Sequence, residues 1–308
     1  MRLKADIALF FIAIIWGSAF VAQRVAGQLG SVYLFNGARY ILAGLVVLPF
    51  VRLKASIPTG QYKWMVFAGF LLFFAAAFQQ VGIVHTTAGN AGFITSLYVV
   101  LVPFVLFAGW REKPHWMSVV AVGVAVAGAY LLSMGGGLVL SLVDGPVLGL
   151  VDGPEVQRGD ALELIGALFW AMHVVVLGKF ASKFEPMSFS VGQLLICGIL
   201  NLIFGLFIEQ PIFTWLLAGA AVYTAVMSLG ICYTLQVWAQ RHTPPSDAAL
   251  ILSLESVFAV LAGWFLLDER LTGIQIFGSL LIFFAVGLSQ VRAWNSSTID
   301  TDHLVEGR

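Results

Sequence analysis

The feature that most constrains this chain is a succession of ten apolar runs, near 5–22, 33–51, 64–84, 89–109, 115–133, 160–178, 187–208, 215–238, 246–267 and 273–291. Each is close to the roughly 20 residues that cross a hydrocarbon core about 30 Å thick at about 1.5 Å per residue. Most connections are short and turn at Pro58, Pro114, Pro186, Pro211 or the pair Pro244–Pro245. Inside lipid every backbone N–H and C=O must be satisfied within its own segment, so runs of this length are helices. The expectation is an all-α, polytopic membrane protein with ten transmembrane helices. Composition agrees, with 60% of the 308 residues hydrophobic and only 10% charged. A soluble domain carries roughly a quarter charged residues. This disfavours a cytoplasmic enzyme, a disordered tail and a secreted disulfide scaffold. Only Cys197 and Cys232 are present, both inside apolar runs. A formal net charge of zero gives no reason to expect a nucleic-acid partner.

Arg2 and Lys4 precede the first run, and no small-residue cleavage site follows it, so the run reads as an uncleaved helix. Cationic residues set the orientation. With a cytoplasmic N-terminus, Arg2, Lys4, Arg52, Lys54, Lys63, Arg111, Lys113, Lys179, Lys183, Arg241, Arg292 and Arg308 all fall inside. Only Arg24, Arg158 and Arg270 fall outside. Both termini are therefore expected in the cytoplasm, with the protein in the cell (inner) membrane.

The chain also repeats itself. DIALFFIAIIWGSAF from Asp6 resembles DALELIGALFWAMHV from Asp160, which matches Trp16 with Trp170. At the same offset Phe35 matches Phe189, Arg39 matches Gln193 and Gly44 matches Gly198. Later, HTTAGNAGFI from His85 resembles HTPPSDAALI from His242, and Tyr98 falls on Glu255. The expected organisation is a first repeat at 1–133, an external Gly/Asp-rich linker at 134–159, a second repeat at 160–292 and a cytoplasmic tail at 293–308. The linker contains LVDGP twice, readable as a small hairpin or as a tandem duplication. Five helices per half is odd, so the second half enters the membrane upside down. Inverted repeats of this kind characterise transporters that alternate access around a midplane site.

The stretches TTAGNAGFITSLYVVLVP, GDALELIGALFWAMHVVVLGKFA and AQRHTPPSDAALILSLESVFAVLAGWFLLDERLTG resemble the EamA branch of the drug/metabolite transporter superfamily. The resemblance runs through both halves and implies a secondary transporter that exports small metabolites. One departure stands out. Family members often carry Pro after the Glu of the LE-P-VFA stretch, where this chain has Ser256. The resemblance therefore does not carry a kink in the ninth helix over to this chain, whereas Pro103 is able to bend the fourth.

A charge at mid-helix costs about 2.5–3.5 kcal/mol on insertion scales, so each one needs a reason. Glu255 lies about 13 Å from the inner end of its helix and Arg39 about 9 Å from the outer end of its own. Glu255 is suited to bind a substrate ammonium or to carry a proton, and Arg39 to hold a carboxylate bidentately. The alternative is that both lock helices together, through hydrogen bonds or with each other. Trp16 and Trp170 fall near mid-bilayer, where an indole N–H needs a partner that a polar cavity supplies. His173 lies one turn from Trp170 on the same face, as a proton relay, a substrate ligand or a satisfied core histidine. Gln193 and Tyr98 enter as the repeat mates of Arg39 and Glu255. Of Gln79 and Gln80, one is expected to face the pathway and the other to bond a neighbouring helix. Asp247 reads as the cap of the ninth helix.

No nucleotide-binding Gly-Lys loop, HExxH, GxSxG or metal-spaced Cys/His cluster occurs, so neither enzyme, cofactor nor metal is implied. One cation, one anion and several aromatics suit a small zwitterion with some apolar surface. Export of amino acids or similar zwitterions is the leading reading. The alternatives are a proton-coupled exporter of cationic or amphipathic compounds centred on Glu255, or a membrane binding or sensor protein without turnover. The partners implied are a small-molecule substrate and the lipid bilayer, with no obligate protein partner.

Overall fold

The computed structural model describes residues 1–51, 62–86, 88–133, 154–267, 272–274 and 276–288. The described residues contain helices and no strand: α1 (Arg2–Gln28), α2 (Tyr33–Val47), α3 (Tyr62–Gly82), α4 (Ala88–Ser96), α5 (Tyr98–Trp110), α6 (Trp116–Ser133), α7 (Pro154–Phe180), α8 (Pro186–Ile208), α9 (Trp215–Tyr223), α10 (Cys232–Ala239), α11 (Pro245–Leu252), α12 (Glu255–Leu267) and α13 (Ile276–Leu288). A stretch of π-helix, Thr224–Ile231, joins α9 to α10. Eight helical segments are long and apolar enough to cross a bilayer, and Trp116–Leu131 and Ile276–Leu288 are shorter apolar helices. These are the ten runs. Their lipid-side positions carry Phe104, Phe207, Trp215 and Phe265, all strongly exposed, as a surface solvated by acyl chains requires.

Helix α7 begins at Pro154, so the last residues assigned to the linker are helical. Proline fits the first position of a helix, where its missing N–H has no intrahelical partner to lose, and the polar turn that follows extends the helix beyond its apolar run. The tandem LVDGP pair up to Gly153, Asp268–Arg270 and the tail at 293–308 lie outside the described residues.

Two of the runs are interrupted, and at matching places. The α4–α5 segment tightens at Leu97, and the α11–α12 segment at Ser253 and Leu254. Leu97 and Leu254 donate to carbonyls three residues back rather than four, at 3.1 and 3.2 Å. The cause is a serine at each place. Ser96 Oγ donates to the Phe93 carbonyl and Ser253 Oγ to the Leu250 carbonyl, both at 2.7 Å, and Ser256 Oγ reaches the Ser253 carbonyl at 2.8 Å. Hydroxyls that bond back to the helix compete with its ladder and bend it. The ninth crossing is therefore interrupted without proline. In the fourth, the interruption falls six residues before Pro103, which sits inside α5.

The two halves exchange roles through their contacts. Helix α2 packs along its mate α8, α3 packs on α7 while α10 packs on α1, and α12 packs on both α1 and α4. The direction of the α2–α8 contact shows the inversion. Leu34, Gly37, Ile41 and Gly44 lie opposite Gly205, Leu202, Gly198 and Leu195 in turn, so the mates run antiparallel. Gly44 against Leu195 and Gly198 against Ile41 are the same contact seen from each half. A Cβ at Gly198 would lie 2.7 Å from the Ile41 backbone nitrogen, which forces the glycine. Small residues at such crossings let helices approach and gain dispersion energy that lipid cannot supply. Gly198→Leu is expected to destabilise the fold by about 1–3 kcal/mol, read as a lower thermal midpoint in detergent. Gly219→Ala, where a Cβ meets nothing within 4 Å, should leave the midpoint unchanged.

Candidate functional site

Between the halves lies a small cavity lined by Trp16, Phe20, Gln23, Arg39, Tyr40, Gln79, Thr95, Tyr98, Trp170, Val174, Ser228, Leu229, Tyr233, Gln236 and Glu255. Concave, mostly apolar walls with a few convergent polar groups are the usual form of a small-molecule site.

Arg39 supplies the cation. It is 2% exposed, and its guanidinium is braced from its own half of the chain. Nε donates to Asn36 Oδ1 and Nη2 to Gln23 Oε1, each at 2.9 Å. The Phe35 and Tyr40 rings stand 5.2 Å from the guanidinium carbon. Asn36 is held in turn by the Ala76 carbonyl at 3.0 Å, and Gln80 donates to the Gln23 carbonyl at 2.8 Å. Arg39 and Glu255 form no ion pair with each other among the described residues.

Glu255 supplies a buried carboxyl group as the first residue of α12, directly after the serine interruption. Tyr98, its repeat mate, is likewise the first residue of α5. Tyr98 and Glu255 face each other closely enough for their side chains to interact, although the Tyr98 hydroxyl and Glu255 Oε1 complete no hydrogen bond of good geometry.

The aromatic wall is built on Tyr233. Its ring centroid lies 5.2 Å from that of Trp16, 6.3 Å from Trp170 and 6.5 Å from Tyr40, with Trp16 and Trp170 6.4 Å apart. Trp16 Nε1 donates to the Ser228 carbonyl at 2.8 Å. Ser228 belongs to the π-helical stretch. Such widened turns are rare and frequent at functional sites.

The cavity collects polar atoms without partners. Trp170 Nε1, the Tyr98 hydroxyl, both amide atoms of Gln236 and Glu255 Oε1 are buried there and unbonded. A buried polar group left unsatisfied costs about 1–3 kcal/mol, so their convergence makes this cavity the candidate site for a polar ligand. No group of three or more potential metal ligands occurs among the described residues.

The structure thus brings Arg39, Glu255, Trp16, Tyr98, Trp170 and Gln79 to one cavity. Gln80 bonds a neighbouring helix instead. His173 and Gln193 stand beside the cavity rather than lining it, bonded to each other at 2.9 Å, with the His173 ring against Trp170 and Tyr233. Sequence reasoning passed over Tyr233, Gln236 and Glu163. Gln236 is the repeat mate of Gln79, and the repeat register could have found it. Glu163 is a fully buried carboxyl inside an apolar run, the same signal that singled out Glu255.

Polar clusters also lie toward the two ends of the bundle. At the face carrying the N-terminus, Arg2 pairs with Asp6 and Asp247, and Thr243 Oγ1 donates to Asp6 Oδ1 at 2.7 Å. Asp247 is therefore no helix cap: α11 starts on Pro244–Pro245, and the carboxylate serves Arg2 from the first turn. At the opposite face, Asn90 donates to Thr86 Oγ1 at 2.9 Å and to Asp160 Oδ1 at 3.1 Å. Asp6, Thr243 and Asp247 are the repeat mates of Asp160, Thr86 and Asn90.

Residues 3–134 and 157–290 each match the EamA-like transporter family. The chain belongs to that family. An uncharacterized transporter of Archaeoglobus fulgidus is 34% identical over 94% of this chain and 87% of its own length. The uncharacterized inner membrane transporter YedA of Escherichia coli is 25% identical over 91% of this chain and 89% of its own. The threonine/homoserine exporter RhtA of Salmonella typhimurium matches at 27% over 41% of this chain and 43% of its own. A crystal structure superposes with a TM-score of 0.72 at 17% identity, covering 96% of this chain and 99% of the other, which supports the fold. This EamA transporter is a multi-pass membrane protein. Its braced guanidinium leads to a stability test: Gln23→Leu leaves Arg39 Nη2 without an acceptor. Gln23→Leu is expected to lose about 2 kcal/mol of stability, read from tryptophan-monitored unfolding in detergent.

Proposed function

We propose that this transporter exports small zwitterions, amino acids above all, by alternating access between its inverted halves. The observation that carries the reading is that Arg39 and Glu255 line one cavity without neutralising each other. A guanidinium is suited to an α-carboxylate, and the carboxylate of Glu255 to an α-ammonium. The unbonded Trp170 indole N–H adds a second donor for the carboxylate. The aromatic wall of Trp16, Tyr40 and Tyr233 suits an apolar side chain. The partial match to a threonine/homoserine exporter supports the same substrate class. The excess of Lys and Arg on the N-terminal side supports cytoplasmic termini in the inner membrane.

The second reading, proton-coupled export of cationic or amphipathic compounds, rests on the unpartnered Oε1 of Glu255, with Arg39 then structural. Counterflow in proteoliposomes loaded with mixed amino acids separates the two. Exchange of a subset including threonine, reduced at least about tenfold in both Arg39→Ala and Glu255→Gln, is the expected result, since each loses a charge-assisted contact. Exchange that survives Arg39→Ala with a cationic substrate supports the second reading. Folded wild-type protein that exchanges no amino acid overturns the first.

A further inference from the structure

Glu163 does not itself line the cavity, yet a chain of hydrogen bonds ties it to residues that do. Gln79 Nε2 donates to Thr95 Oγ1 at 3.0 Å, and Thr95 Oγ1 donates to Glu163 Oε2 at 3.1 Å. All three side chains are at most 4% exposed, and Glu163 Oε1 has no partner. The direction of the chain follows from its far end. A hydroxyl has one proton, so once Thr95 gives it to a carboxylate it only accepts from its other neighbour. Gln79 must then turn its N–H₂ toward Thr95. Gln79 Oε1, which makes no hydrogen bond among the described residues, is left for the cavity.

We propose that Glu163 is a positioning residue that sets which end of the Gln79 amide the cavity presents to substrate, and that a proton on Glu163 Oε2 reverses it. With the carboxylate ionised, Gln79 shows an acceptor suited to a substrate ammonium. With a proton on Oε2, Glu163 donates to Thr95, Thr95 donates to Gln79 Oε1, and the amide shows its N–H₂. Every bond of the chain is kept, and only its direction changes, so the switch costs no buried hydrogen bond. The titratable groups that bear on Glu163 are Asp160 on its own helix and Glu255 on α12, with His85 at the end of the α3 segment beside Gly159. Gln79 and Thr95, from α3 and α4, are neutral. The inference rests on the cavity being the substrate site, and two measurements keep it separate from the substrate class.

The first needs no substrate. Isotope-edited infrared spectra of protein carrying ¹³C-labelled glutamine side chains resolve a Gln79 carbonyl band, assigned by its loss in Gln79→Leu. The band is expected to shift between alkaline and acid pH in wild type and to stay fixed in Glu163→Gln and Thr95→Val. The second is threonine counterflow. Thr95→Val should raise KM about tenfold, the value of one hydrogen bond to a charged group, with the maximal rate within about twofold. Thr95→Ser should restore wild-type KM, and Glu163→Gln should remove the same part of the pH dependence of KM that Thr95→Val removes, leaving only what Glu255 contributes. A band that does not shift in wild type, or shifts equally in Thr95→Val, overturns the inference, as does a wild-type KM and pH profile in Thr95→Val. A band shift in protein that exchanges no amino acid upholds the switch and removes the zwitterion reading alone.

Discussion

Hydrocarbon solvates no polar group, and the architecture follows from where this chain can hide the ones it needs. A charged or amide side chain survives at mid-membrane only where protein surrounds it. Between the two halves of this molecule there is such a place. Arg39 rests on Asn36 and Gln23, which are held by backbone carbonyls or bonded from neighbouring helices. The glycine-lined crossing of α2 and α8 brings the halves close enough to seal lipid out of that region. Packing and polarity are therefore two sides of one arrangement: the helices meet tightly along one seam and leave room along another.

Membership of the transporter family gives this arrangement its use. A cavity formed by segments of both halves changes shape whenever the halves move relative to each other. Its guanidinium and carboxyl group stand on separate crossings, Arg39 on α2 and Glu255 on the interrupted α11–α12. Under the proposed reading, a zwitterion held between them would be held by both halves, which would couple binding to their relative position.

Much of this was legible beforehand, because lipid imposes simple rules. Length and hydropathy determine the crossings, and internal similarity reveals the duplication. Lone charges such as Arg39 and Glu255 stand out against an apolar background. What escaped was chosen by short-range chemistry rather than by pattern. The serine interruptions depend on which carbonyl each hydroxyl selects, and Ser256 in place of the expected proline hid one of them. Tyr233 reads as one more aromatic in an apolar run until its ring is seen among Trp16, Trp170 and Tyr40. Asp247 follows a proline pair as a helix cap would, and only the approach of Arg2 from the far end of the chain gives it another task.

The antiparallel pairing of α2 with its own repeat mate has a consequence beyond stability. Two halves related by a twofold axis in the membrane plane are interchangeable parts, so whatever shape one adopts is available to the other. Under the proposed alternating access, the second state would be reached by letting each half take the conformation of its mate. The mates are seldom identical, and even Asp6 and Asp160 meet different partners, Arg2 and Thr243 in one half and Asn90 in the other. It is then the positions at which the mates differ, Asp247 and Asn90 or Arg39 and Gln193 among them, that would set the two states apart in free energy.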